Sequence, residues 1–193
     1  MAPVAKTHPT IRAAGRDLEF PDWAVASRRR RDHCARVGQL MRSWAKALDL
    51  GKAEARRWRA AGLLHDALKD ADPESLRTEM TRHTDWPAPL LHGPACAEWL
   101  EAEGVEDEEF LRAVAYHTTG HPDFGRIGQA LYLADYLEPG RGRSRRRDAW
   151  RARLPAAWPE VLIEVAASKV RTLLTRGLPI PAETTDFWNR ITG

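Results

Sequence analysis

The sequence predicts an all-α fold, a single helical bundle, and three observations carry that reading. Apolar residues recur at three- and four-residue spacing almost throughout, the period of a helix with one buried face. No segment makes a credible strand of alternating apolar and polar residues. The breaks in the pattern fall at proline and glycine. A chain of 193 residues can bury its own core without disulfides or a structural metal.

Taken in order, residues 1–20 read as a loose N-terminal arm and residues 21–193 as one domain. From about Pro21 to Leu48 a helix sets Val37, Leu40, Met41, Trp44 and Leu48 on one face, and His33, one turn before Val37, shares it. A second helix, from about Ala53 to Leu68, carries Leu63, Leu64, His65 and Asp66 near its end. Asp72 and Pro73 break it and start a short helix. Pro87 to Pro94 is loop-like and delivers His92 just ahead of a helix ending near Gly104. The next helix, about Asp107 to His117, stacks Phe110, Val114 and His117. Thr118 to Gly125 is a Gly/Pro loop, after which Ile127, Leu131 and Ala134 align with Asp135 in a helix that Pro139 and Gly140 end. A long last helix, about Pro159 to Arg176, carries Val161, Leu162, Val165, Val170 and Leu173, with Gly177 as its C-cap.

Composition excludes several classes. Hydrophobic residues at 43% and charged residues at 30% describe a globular protein rather than a disordered or fibrous one. No run approaches the ~18 apolar residues of a membrane span, the N-terminus lacks a signal pattern, and a cytoplasmic location is expected. Cys34 and Cys96 form no CxxC pair and read as small buried thiols. His8 and His83 read as surface residues, and Trp44, Trp58 and Trp99 as packing. Arg28 to Arg31 read as a solvated face. Arg141, Arg143, Arg145, Arg146 and Arg147 follow the last candidate ligand and suit an anionic substrate. There is no RNA-binding aromatic motif or zinc-finger spacing, so nucleic acid is at most a side partner. Exposed apolar residues of the last helix leave a homodimer open.

The chemistry lies in His33, His65, Asp66, His92, His117 and Asp135. Imidazole and carboxylate suit iron, manganese and zinc. Six such groups exceed a tetrahedral structural site and fit two metals that share a bridging carboxylate. His33, His117 and Asp135 each sit on the apolar face of a separate helix, where unpartnered polar groups cost a few kcal/mol apiece. A shared metal centre removes those costs together. Two-metal sites clamp the attacking and leaving oxygens of a phosphoryl displacement, which makes a metal-dependent phosphohydrolase the first expectation.

His33, the His65-Asp66 doublet and Asp135 resemble the signature of the HD-domain metal-dependent phosphohydrolases, and His92 and His117 resemble its dinuclear branch. Four strings are similar to the bacterial HD-domain symmetrical bis(5′-nucleosyl)-tetraphosphatases of the YqeK type: Ala61 to Lys69, Leu91 to Gly93, Tyr116 to Gly120, and Leu131 to Arg141. The tail from Gly177 through Asn189 resembles that family's end, so the likeness runs from about residue 28 to residue 192. The resemblance implies an all-α HD bundle with a dinuclear, most often iron, centre in its core. The implied reaction splits diadenosine tetraphosphate at its central bridge into two ADP.

The expected mechanism has one ion on His33, His65, Asp66 and Asp135, and a second on Asp66, His92 and His117. A metal-activated hydroxide attacks a central phosphorus. Lys69, three residues after Asp66, contacts a phosphate or protonates the leaving group. Thr118, Thr119 and Gly120 cradle phosphate with backbone N–H groups, and Arg141 offers a bidentate fork. Glu138 orients a ligating histidine. The competing readings are another HD-superfamily nucleotide phosphohydrolase or phosphodiesterase, and a nucleotide-sensing or RNA-associated module without turnover. That last reading needs a broken ligand set, and this one is complete.

Overall fold

The computed structural model describes residues 7–193, which form ten α-helices and, among the described residues, no strand. They are α1 (Pro9–Asp17), α2 (Arg28–Ala47), α3 (Gly51–Leu64), α4 (Pro73–Glu79), α5 (His92–Ala102), α6 (Glu108–Tyr116), α7 (Arg126–Leu137), α8 (Arg145–Arg153), α9 (Trp158–Thr175) and α10 (Ala182–Thr192). The expected all-α bundle is therefore what the chain builds. No described helix is long and apolar enough to cross a membrane.

The centre of the bundle is the pair α2 and α3, which pack along much of their length, with α7 laid against both and α6 beyond α7. Their crossing is close because two glycines meet there: a Cβ on Gly62 would lie 2.5 Å from the Gly38 Cα. Only a residue without a side chain allows backbones so near. This contact fixes the end of α3, with His65 and Asp66, against the first turns of α2, with His33. Trp44, Trp58 and Trp158 interlock behind it, ring centroids 5.8 and 6.1 Å apart, as packing rather than as binding platforms.

Several elements depart from the sequence reading. Of the arm, residues 1–6 lie outside the described residues, but Pro9–Asp17 is a helix that packs on α3. Ile11 and Ala14 are buried there, and Gly15 sits so near α3 that a Cβ would meet the Arg56 carbonyl. Pro21 to Ser27 is not helical. The helix begins at Arg28, where the Ser27 hydroxyl accepts from the Arg30 N–H, and Asp70 in turn accepts from the Ser27 N–H at 2.8 Å. His92 does not precede α5 but is its first residue. The arginine-rich stretch folds as α8 around buried Trp150, and the tail folds as α10, which inserts Phe187 against Tyr132 and Phe124. Gly177 ends α9 with φ +63°, as expected, and Cys34 and Cys96 are free and buried. His83 is half-buried rather than on the surface, its Nε2 3.0 Å from the Tyr116 hydroxyl.

Candidate metal centre

The six predicted ligands come from five elements and meet in one place. His33 is on α2, His65 and Asp66 follow α3, His92 opens α5, His117 follows α6, and Asp135 is on α7. Five of the six are buried and Asp135 is half-buried.

Asp66 divides its two oxygens. Its Oδ1 lies 3.0 Å from His92 Nε2 and 3.5 Å from His117 Nε2. Its Oδ2 lies 3.6 Å from His65 Nε2 and 3.8 Å from His33 Nε2. Asp135 Oδ1 joins the second group, 3.1 Å from His33 Nε2 and 3.7 Å from His65 Nε2. Two triads that share Asp66 result, His33–His65–Asp66 and Asp66–His92–His117, and in each the ligand atoms lie within 4.8 Å of one another.

Local structure aims the rings. α3 and α6 stop one residue before a histidine, and the last carbonyls of a helix lack partners within it. His65 Nδ1–H donates to the Gly62 carbonyl at 2.9 Å, and His117 Nδ1–H donates to the Val114 carbonyl at 2.8 Å. His33 Nδ1–H donates to Glu138 Oε1 at 3.1 Å. With Nδ1 engaged, each ring turns an Nε2 lone pair to the centre. Glu138 is buried and also accepts from Arg36 Nε (2.7 Å) and the Gly140 N–H (2.6 Å), which locks it in place.

Burial alone would raise the Asp66 carboxyl, but the imidazoles of His65, His117 and His92 hold it well below the ordinary carboxylate range. Asp135 is held low against burial by His33, His65 and Arg141. Burial pushes His92 down to about 4 and lowers His117, with Asp66 opposing in both. Ionised carboxylates and the lowered His92 and His117 imidazoles are the forms that bind metal, while Asp66 and Asp135 raise His65 against its burial. His65 Nε2 is buried and has no hydrogen-bond partner. An orphaned lone pair facing shared carboxylate oxygens fits divalent cations of the nitrogen- and oxygen-binding kind.

Cationic side chains ring this centre. Lys69 Nζ stands 3.2 Å from His92 Nδ1 and donates to the Pro89 carbonyl at 3.0 Å, and burial pulls its pKa down against the pull of Asp66. Arg141 holds Asp135 through both its backbone carbonyl and its carboxylate, and Arg147 braces the Arg141 carbonyl at 2.7 Å. Arg30 belongs to the run expected to form a solvated face, yet its Nη1 donates to Asp66 Oδ2 at 2.7 Å. The available sequence clue is its place one helical turn before His33.

The phosphate cradle expected at Thr118, Thr119 and Gly120 is corrected in part. Thr118 Oγ1 lies 3.1 Å from His117 Nε2, at the edge of the centre. Thr119 and Gly120 are buried away from it: the Gly120 N–H is spent on the Tyr116 carbonyl at 2.7 Å, and the Thr119 carbonyl accepts from Thr184 Oγ1 at 2.8 Å. The Gly120 N–H is thus turned back onto its own helix and is not free for a ligand.

A helical bundle with a buried His/Asp centre at the junction of five elements defines the class. The HD-domain family model matches residues 30–140, and the chain belongs to that family. Its members bind divalent metals, and this chain is a hydrolase of that kind. More particularly, it is similar to a symmetrical bis(5′-nucleosyl)-tetraphosphatase of Halalkalibacterium halodurans, 31% identical over 158 residues that cover 75% of this chain and 82% of that protein. A protein of the same name from Staphylococcus aureus is 32% identical over 120 residues, 58% of this chain and 60% of that one. Among solved structures, a predicted HD-superfamily hydrolase involved in NAD metabolism from Clostridium acetobutylicum superposes with a TM-score of 0.74 at 25% identity, covering 86% of this chain and 89% of that one.

Proposed function

We propose that the protein cleaves dinucleoside tetraphosphates symmetrically, converting diadenosine tetraphosphate and water to two ADP. The observation that carries this reading is the division of Asp66 between two ligand groups, which suits a two-ion phosphoryl-transfer centre. The names of the relatives from Halalkalibacterium halodurans and Staphylococcus aureus support the choice of substrate.

His33, His65, Asp66 and Asp135 would hold one divalent ion, and Asp66, His92 and His117 the other, with iron first and manganese or zinc as alternatives. When bound, the pair supplies Lewis acidity, lowering the pKa of water toward neutrality and offsetting charge on the phosphoryl oxygens. The rest is the work of side chains. Glu138 keeps the His33 ring turned to the centre by accepting its Nδ1–H. Lys69 meets the charge that gathers on the departing phosphate, a role that its proximity to His92 supports. Arg141 and Arg30, now engaged with Asp135 and Asp66, offer planar forks to phosphate oxygens. Thr118 contributes a hydroxyl beside His117. In the reaction a water oxygen bonds to one of the two central phosphorus atoms, the central P–O bond breaks, and the bridging oxygen leaves with ADP.

The test is product analysis by anion-exchange chromatography after incubation of ferrous-loaded protein with diadenosine tetraphosphate, with the His65→Ala/Asp66→Ala double variant as control. ADP as sole product, lost in the variant, supports the proposal. ATP with AMP would keep the hydrolase and overturn the bond assigned. No turnover at full metal occupancy would overturn the substrate.

A further inference from the structure

Charged side chains gather a second time at the far end of the α2–α3 pair. A concave pocket of about 460 Å³ opens beside the turn that joins the two helices. Arg42 and Lys46 of α2, Asp49 of the turn, and Lys52, Ala55 and Arg56 of α3 line it. Arg42 follows His33 by nine residues of α2, so at 1.5 Å per residue the pocket begins about 13 Å from the metal centre. Four cations thus face one carboxylate. Among the described residues none of the four makes an ion pair or a side-chain hydrogen bond, with Asp49 or with any other group. Arg57, on another face of α3, shows the contrast: Glu54, Asp107 and Glu109 all meet it. Glu54 is the one acidic residue of α3, and it is engaged with Arg57 and Trp58.

Like charges one helical turn apart oppose each other, and both Arg42 with Lys46 and Lys52 with Arg56 stand at that spacing. Arg42 is half-buried, and its Nε is shielded and has no hydrogen-bond partner. A shielded donor left unpaired is costly. The neighbour acting on it from α3 is a further cation, Arg59, whose pKa burial and then the Arg42 charge lower. Arg59 itself donates to the Gly15 and Arg16 carbonyls of α1. Gly51 and Lys52 open α3 at the pocket wall, and no side chain caps the first N–H groups there, so the positive end of the helix adds to the same field.

We propose that this pocket is a second anion site, separate from the metal centre, and that it takes a diphosphate-sized phosphoanion. The cations surround one concavity of a size that holds small ligands, which favours a compact ion over a nucleic-acid strand. No aromatic ring lines the pocket, so recognition falls on the phosphoryl oxygens alone. Arg42 offers them a planar fork with a donor already withdrawn from water, and Lys46, Lys52 and Arg56 close around the rest. Free inorganic diphosphate and the tail of a nucleotide share this chemistry.

The experiment is equilibrium dialysis of manganese-loaded protein against radiolabelled inorganic diphosphate. Binding is expected to persist in the His65→Ala/Asp66→Ala variant, which disables the centre. In otherwise native protein, Arg42→Gln should weaken the pocket's share about tenfold or more, the scale of a lost charge-assisted hydrogen bond. Lys52→Glu, at an exposed position, should abolish that share while turnover of diadenosine tetraphosphate stays as in wild type. Unchanged diphosphate binding in both Arg42→Gln and Lys52→Glu would overturn the proposal, as would loss of all binding with the centre's ligands in a variant that keeps the native unfolding temperature. Loss in Arg42→Gln alone, with a lower unfolding temperature, would also overturn it and leave Arg42 a packing role. Competition by ADP separates the two sources: displacement at matching concentrations assigns the phosphate tail as sufficient, and displacement at lower ADP concentrations assigns a nucleotide. An RNA oligomer that binds through these residues where diphosphate does not would overturn the compact ligand.

Discussion

Replacing Glu138 by glutamine isolates the support behind one ligand from the ligand itself. The native carboxylate accepts three donors: His33 Nδ1–H on Oε1, and Arg36 Nε–H with the Gly140 N–H on Oε2. A glutamine of the same shape keeps one accepting oxygen and turns the other into a donor. If the remaining oxygen serves Arg36 and Gly140, two contacts survive and His33 Nδ1–H faces an amide N–H. The ring then loses both its fixed tautomer and its orientation. Removal of such a partner costs roughly 10–100-fold in metal affinity, or about 1.4–2.7 kcal/mol. Chelator-stripped protein titrated with Mn²⁺ in a calorimeter is the assay. Two binding steps are expected for wild type. In Glu138→Gln the step assigned to the His33 side should weaken by that factor, while the His92–His117 side, which Glu138 does not touch, stays within about threefold. Unchanged affinity at both steps would refute the reasoning, and equal weakening of both would show that Glu138 supports the fold rather than one ring.

Two further expectations concern stability. Asp107 accepts from Arg57 Nε and Nη2 at 2.7 Å each and caps α6 through the Phe110 N–H at 3.1 Å, so Asp107→Ala should cost about 1–3 kcal/mol in urea unfolding at pH 7. Burial raises the Asp107 carboxyl but Arg57 holds it below its ordinary value. The charge-dependent part of its contribution is therefore complete above the unfolded-state pKa of about 3.9 and is lost as the pH falls through the lower folded-state value. The gap between wild type and variant should narrow in acid, and a gap that widened would contradict the sign. Gly120 has φ +84°, and a Cβ there would overlap the Phe187 ring. Gly120→Ala should destabilise by roughly 2–4 kcal/mol, strain and overpacking combined, read as a lower thermal midpoint, and a midpoint within about a degree of wild type would count against the contact between α10 and this turn.

The sequence made the central helices readable because each buries a broad apolar stripe: Val37, Met41 and Trp44 on α2, Phe110 and Val114 on α6, Ile127 and Leu131 on α7. α1, α8 and α10 escaped because their burial rests on few or small residues. α1 hides Ile11 with Ala14 and Gly15, α8 hides Trp150 alone, and α10 hides Phe187 and Thr184. A stripe one residue wide leaves no periodicity to detect. At the centre, the histidines and aspartates stood out because ionisable groups on apolar faces are anomalous. Arg30 did not, since four consecutive arginines look alike until the helix phase singles out the one above His33. Gly120 misled for the opposite reason: a glycine in a loop suggests a free N–H, but this one bonds back to the Tyr116 carbonyl of the helix before it.

Two of the ring ligands are held by the point at which a helix stops. His65 and His117 each sit one residue past a helix and bond back to a carbonyl of its final turn. Their aim thus depends on register more than on neighbouring side chains. A one-residue insertion within α3 or α6 rotates the downstream residues by about 100° and would swing the imidazole away from Asp66. Substitutions along the outer faces of the same helices leave it where it is. The centre is consequently brittle to changes in chain length and tolerant of changes in chain chemistry, a pattern of mutational robustness set by where the backbone ends its turns.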